Sequence, residues 1–321
     1  MFEDAFEKFQ ARSKRNQELL SKSTLDALAA QVKRMKESGT PAFAPQISEQ
    51  LKVLHEQWKK NVGSIKSLED LPIAKILNER YNERNQIKLM KYMSRVNEEA
   101  SCRMLEDADF AAPFLETDSF DAVILSLDIR RSTELMLKCE SPEVYADFIN
   151  TLNEELTEAV KNRYGIYDKF TGDGLLSFFP DFYSGPKAII FALLCSLDCQ
   201  QIFTTVFDGY RKYFDIGEMQ TGIGVGIDTG NVFKAGEGLE YTVVGKPVVY
   251  ACRFSSAPAG HVYVTDRARK LLLDVDGSSF SVTETRIPIK HEDDMLAFDV
   301  KPVHADAVEA LYTLRPEWCH E

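Results

Sequence analysis

The stretch YDKFTGDGLLSFF, residues 167–179, sets two short apolar-aromatic runs on either side of Thr-Gly-Asp-Gly. Two such runs around a Gly-rich turn spell a β-hairpin, and the turn carries Asp173. Upstream, AVILSLDI (122–129) reads as a buried strand with Asp128 near its end. Taken singly, each aspartate is an ordinary turn or strand-end residue. If the strand and the hairpin are neighbours in one sheet, both carboxylates converge on one site. Two hard carboxylates with no His or Cys nearby suit Mg2+ or Mn2+ rather than Zn2+. Mg2+ held by so few protein groups takes its other ligands from water and substrate phosphates, which points to nucleoside triphosphate chemistry. IRRST (129–133) follows Asp128. A turn entering a helix offers N–H groups to anions, and Arg130 and Arg131 add charged donors. The competing reading is a solvated arginine pair. The chain carries neither a Walker A motif nor G-x-G-x-x-G, which argues against a P-loop or Rossmann enzyme.

Outward from the hairpin, the pattern is regular. PEVYADFINTLNEELTEAVKNRYG (142–165) is an amphipathic helix with Pro in its first turn and Gly after its end. Residues 186–210 form a second long helix. QTGIGVGIDTGNVFKAG (220–236) reads as two strands around a tight turn at Asp228-Thr229-Gly230, and 241–245 as another strand. A helix over 246–256, a strand over 261–265, a helix over 266–273 and two strands within 280–302 complete the pattern. The order β-α-β-β-α-β-β-α-β-α-β-β predicts an α+β fold, an antiparallel sheet with helices on one face. Ahead of it, 1–36, 47–60 and 71–106 show helical patterning, with a Gly/Pro break at 37–46 and a linker at 107–119. The expected domains are a helical N-terminal region with linker (1–117), the α+β domain (118–302) and a C-terminal tail (303–321).

Composition narrows the class. The 321-residue chain has a formal net charge of −12, which argues against a nucleic-acid partner. The charge is uneven: 18 Lys+Arg stand against 14 Asp+Glu in residues 1–100, and 20 against 36 in the rest. The six cysteines show no metal-finger spacing and read as reduced thiols of a cytosolic protein. MFEDAFEKFQ is not a secretory signal, and the longest apolar run, AIIFALLCSL (188–197), is too short to span a bilayer. A cytoplasmic protein with no direct membrane contact is expected.

Four motifs, in order over some 180 residues, carry a family resemblance. ILSLDIRRST, DKFTGDGLLSFF, GIGVGIDTGNV and EYTVVGKPVVYACRFSSAPAG together resemble the class III nucleotidyl cyclase domain of adenylyl and guanylyl cyclases. The resemblance implies a ferredoxin-like α+β domain. It also implies two Mg2+ or Mn2+ ions per site, held by Asp128 and Asp173 with the backbone carbonyl of Ile129. Arg253 matches the family's transition-state arginine, while Lys169 and Thr242 fall where the base is read. A homodimer is implied, in which one subunit supplies the carboxylates and its partner the arginine and the base readers.

The departures are specific. The family's ribose-orienting Asn is Val249 here, and a phosphate-binding Arg position is Gly224. In DIRRST, Arg131 replaces Gly and Ser132 replaces Phe. Arg130, Arg131, Ser132 and Thr133 are therefore the expected phosphate contacts. IPIKHEDDMLAF weakly resembles a phosphate-binding Lys loop, with Lys290 as its residue. These variations are similar to the pyrimidine cyclases of bacterial anti-phage (Pycsar) defence, which make cyclic UMP or cyclic CMP for a separate effector protein. The Lys169/Thr242 pair is the adenine type and favours ATP instead. Two other readings stay open: a silent nucleotide-binding module, and an interaction protein whose aspartates merely make turns.

Overall fold

The computed structural model describes residues 89–217, 220–236, 242–287 and 294–320. The chain divides into two units, Met1–Arg84 and Asn85–Glu321, and every described residue lies in the second. The helices expected before residue 89 lie outside the described residues.

Strand β1 (Ser119–Arg130) is the spine of the sheet. On one side it pairs antiparallel with β3 (Gly174–Pro180), which in turn pairs with β2 (Ile166–Phe170). On the other it pairs with β4 (Gly222–Ala235) along its whole length. The sheet continues through β6 (Val262–Val264), β8 (Met295–Pro302) and β7 (Phe280–Ile287), while the short β5 (Thr242–Val244) pairs with the far end of β4. The β4–β6 pair is parallel, so the sheet is mixed rather than wholly antiparallel.

Side chains alternate across β1 because its period is two. Val123, Leu125 and Leu127 enter one core; Ala122 and Ile124 enter another. The first core is covered by α4 (Pro142–Asn162), α6 (Ala188–Tyr210) and α8 (Asp266–Val275). Both faces being buried explains why AVILSL is apolar except for the buried Ser126. The helical run Asp181–Tyr213 is long and apolar enough by length and composition to cross a membrane, with a mean hydropathy of 1.6. Its residues Ile189 to Cys195 sit within the first core, at 1% exposure or less, and each large apolar side chain so buried contributes about 1.5–3 kcal/mol.

Helices cover both faces, not one. The second face carries α1 (Glu98–Glu106), α2 (Ala108–Glu116) and α7 (Lys246–Phe254). The stretch expected as a linker is thus helix α2. Asp107 caps it, accepting from the N–H groups of Asp109 and Phe110 at 3.0 Å, and Phe114 is buried in the second core. Pro113 and the polar ends made the segment look like a linker, but Pro113 sits in a helix only nine residues long. The tail is also structured: Trp318 stacks on Tyr183 and donates its indole N–H to the Tyr183 carbonyl at 2.7 Å.

A second difference concerns β4, which runs unbroken through Asp228-Thr229-Gly230 where a turn is expected. Twelve residues of β1 offer a partner along that length, so pairing overrides the local turn signal. Asp228 is fully buried and held there by Thr265 and Arg267, the latter at 2.5 Å. Burial pushes its carboxyl up; Thr265, the Thr229 backbone and Arg267 pull it back.

Candidate active site

Asp128 lies two residues before the end of β1, opposite Gly174 on β3 and Gly224 on β4. Glycine on both flanks leaves the carboxylate without crowding side chains. Both glycines are required by close backbone approach. A Cβ on Gly174 would stand 2.4 Å from the Leu127 carbonyl, and one on Gly224 would stand 2.1 Å from the Ala257 carbonyl. Position 224 therefore cannot hold an arginine in this fold.

Asp173 is brought alongside by the hairpin turn. Thr171 N–H donates to the Gly174 carbonyl at 2.8 Å, and Gly172 takes φ +90°, a left-handed conformation that suits glycine. The Ile129 N–H donates to the Asp173 carbonyl at 3.3 Å, tying the turn to the end of β1 while the Ile129 side chain stays in the first core. Arg130 reads both aspartates. Its guanidinium pairs with Asp128. Burial pulls that guanidinium down from its usual range while the Asp173 charge pushes it back up. Two carboxylates thus face one cationic group at the end of the sheet.

The four residues after Ile129 divide. Ser132 is buried and donates its hydroxyl to Asp173, so it holds a carboxylate. Thr133 is exposed in the first turn of α3 (Ser132–Leu137). Arg131 caps that helix at φ 64°, ψ 28°, the left-handed region, and its guanidinium holds Glu134 at 2.8 Å. A left-handed non-glycine residue costs about 1–2 kcal/mol, and an exposed ion pair returns only about 0–1 kcal/mol. Arg131→Gly is therefore expected to raise Tm by about 2–4 °C, read by thermal unfolding. If Arg131 also contacts phosphate, the same variant loses turnover while gaining stability. A fall in Tm would refute the strain.

Helix α7 lies across the second face at β4. Cβ atoms on Gly226 would meet the Ala251 carbonyl at 2.1 Å and the Ser255 N at 2.4 Å. Gly226 and Gly224 pair with Ser126 and Asp128, so the C-terminal end of α7 rests on the face to which Asp128 points. That end carries Arg253. Val249 is one turn earlier on the same stripe and 50% exposed.

Lys169 and Thr242, distant in sequence, meet. A β-bulge between Tyr167 and Lys169 places Lys169 opposite Leu176, on the second face. The Lys169 ammonium donates to the Thr242 hydroxyl at 3.0 Å, and that hydroxyl donates to Asp168 Oδ2 at 2.5 Å. Asp168 was not among the expected site residues. It is 2% exposed, and burial pushes its carboxyl up, against Thr242, Lys169 and Arg95. Its bulge position is the one local signal, a charged residue inside a strand next to Lys169. Lys290 lies outside the described residues. Among those residues no cluster of three or more His, Cys, Asp or Glu forms a metal site, so a cation here would rest on the two aspartates.

No family model and no curated protein matches the sequence. Solved structures do match the fold. The adenylyl cyclase CyaB of P. aeruginosa aligns at a TM-score of 0.52 and 24% identity, over 60% of this chain and 99% of its own. The fold is that of a class III cyclase domain. The guanylyl cyclase Cya2 aligns at 0.49 and 23% identity, over 59% and 95% of the two chains. The guanylate cyclase domain of RhGC from Catenaria anguillulae, in complex with GTP, aligns at 0.46 and 18% identity, over 58% and 99%. Within this fold Asp128 lies on β1, Asp173 in the β2–β3 turn, Lys169 on β2, Thr242 on β5 and Arg253 on helix α7.

Proposed function

We propose that the protein is a nucleotidyl cyclase converting a nucleoside triphosphate to a 3′,5′-cyclic nucleotide and pyrophosphate. The observation that carries this reading is the convergence of Asp128 and Asp173 at the end of β1, where Asp128 pairs with Arg130 and Asp173 is held by the Ser132 hydroxyl and the Ile129 N–H. That field fits divalent cations, with Mg2+ or Mn2+ held by the two carboxylates and the Ile129 carbonyl. Bound there, the metal would acidify the ribose 3′-hydroxyl and neutralise the leaving pyrophosphate. The chain's own residues do the rest. Ser132 orients Asp173 by its hydrogen bond. Arg253 stabilises the charge that develops as the O3′–Pα bond forms and the bond from Pα to the bridging oxygen breaks. Lys169 and Thr242 read the base, and Arg130 to Thr133 line the phosphate end.

The proposed assembly is a homodimer with shared sites. Phe233, Val244 and Val249 leave apolar surface exposed on the β4–β5 hairpin and α7, which favours a partner surface. The proposed location is cytoplasmic, and the product would act on a separate effector in anti-phage defence.

The proposed base is a pyrimidine, from UTP or CTP. Thr242 gives its proton to Asp168 and accepts from Lys169, so ammonium protons dominate what the pair offers, and these suit an O2 or O4 carbonyl. The direct Lys169–Thr242 contact favours the second reading, ATP, because that pair is the family's adenine type. Incubation with ATP, GTP, CTP and UTP plus Mn2+, read by mass spectrometry, decides between them. A cyclic nucleotide from UTP or CTP alone supports the pyrimidine reading. Cyclic AMP replaces it with the second. No product from any of the four refutes the cyclase assignment for the isolated chain.

A further inference from the structure

Asp168 is one residue from Lys169, yet nothing in the proposed chemistry needs a carboxylate there. It is buried, with side-chain exposure of 0%, and both oxygens are accounted for by different parts of the chain. Oδ2 accepts from Thr242 at 2.5 Å. Oδ1 faces the Arg95 guanidinium at 3.7 Å, and the Val243 backbone N–H also stabilises the carboxylate. Arg95 also holds the strand itself, because the Tyr167 N–H donates to its carbonyl at 3.0 Å. Arg95 belongs to the segment that precedes α1, while Thr242 begins β5. The carboxylate thus ties three separate segments together beneath the base-reading pair.

The chemistry of a hydroxyl makes this contact directional. Thr242 has one proton and two lone pairs. With Asp168 as acceptor, the proton points inward, and the oxygen turns its lone pairs outward to Lys169 and to whatever base edge lies beside it. An amide NH2 in place of Oδ2 would donate to the same oxygen and turn the hydroxyl proton out. The polarity offered to a base depends on the group at 168, although that group touches no base.

We infer that Asp168, held by Arg95, is a positioning residue that sets base selectivity by orienting the Thr242 hydroxyl. This rests on the cyclase reading above. A merely structural Asp168 would lower activity on all four nucleotides alike; a positioning Asp168 changes their ratio.

The test measures kcat/KM for ATP, GTP, CTP and UTP with the full chain and with Asp168→Asn, Thr242→Val and the double variant. Asp168→Asn is expected to change the ratio of preferred to next-best nucleotide by about tenfold or more, with Tm close to wild type. In the Thr242→Val background it should change that ratio no further, because the hydroxyl it orients is gone. Arg95→Met, which removes the charge facing Oδ1, should shift the ratio in the same direction and carries the test if Asp168→Asn does not fold. A ratio within twofold of wild type in a folded Asp168→Asn or Arg95→Met variant overturns the inference, as does an additive double variant. Should wild type bind nucleotides without turnover, the ratio is read from nucleotide-dependent Tm shifts, and the cyclase reading fails by itself. A wild-type chain that responds to none of the four in either assay removes both.

Discussion

Asp128→Asn and Asp173→Asn are each expected to lower Mn2+-dependent pyrophosphate release by at least about 1,000-fold, or about 4 kcal/mol of transition-state stabilisation, with the fold intact. Each substitution keeps the shape of the side chain and removes the charge. Asp128 has glycines opposite it on both neighbouring strands, so an amide fits without strain. Asp173 stands in a turn closed by backbone hydrogen bonds, and the Ser132 hydroxyl can donate to an amide oxygen as it does to the carboxylate. Thermal unfolding should therefore move little for Asp173→Asn, whereas Asp128→Asn also gives up the ion pair with Arg130 and should lower Tm modestly while leaving the protein folded. A two-metal site loses far more than one hydrogen bond when a carboxylate is neutralised, because charge at the phosphates is no longer balanced. Pyrophosphate release and thermal unfolding, measured on the same preparations, check this. Turnover within tenfold of wild type in both variants would return the aspartates to the role of turn residues.

Arg253→Ala is expected to cut kcat by about 100- to 1,000-fold while KM changes by less than about threefold. Charge on the reacting phosphate grows in the transition state, so a guanidinium aimed there acts on kcat more than on ground-state binding. Equal losses in affinity and turnover would make Arg253 a binding residue only. The same variant tests where the site lies. Asp128 and the end of α7 share one face of a single chain, which leaves two arrangements. If each site forms within one chain, a mixture of Asp128→Ala and Arg253→Ala proteins stays inactive. If two chains share sites, half of the randomly exchanged dimers regain one intact site of two, and activity returns to about a quarter of wild type. Subunit exchange is verified in the same experiment by mass spectrometry of the native dimer.

The local pattern carried a large part of this fold. The hairpin 166–180, the strand into Asp128 and the two long helices were all legible because period-two and 3.6-residue patterns, caps and Gly turns are local. Asp128, Asp173 and Arg253 stood out by motif as candidates. The α2 helix was not, since its aromatic face acquires meaning only against Tyr183 and Phe182. Nor was the outcome at Asp228-Thr229-Gly230, where a good turn sequence was pulled straight by twelve residues of β1.

By itself the sequence determined which residues are the candidates for the chemistry, because carboxylates at a strand end and in a Gly turn are placed by short-range geometry. It also determined the α+β alternation, because each element's periodicity is written in its own residues. Only the tertiary structure decided what those residues face. The bulge that aims Lys169, the Thr242–Asp168 bond across 74 residues, the approach of Arg95 and the commitment of Ser132 to Asp173 all arise from pairings between distant segments. Such contacts form only when burial of both sheet faces outweighs the entropy of closing long loops, and no short window of sequence records that balance.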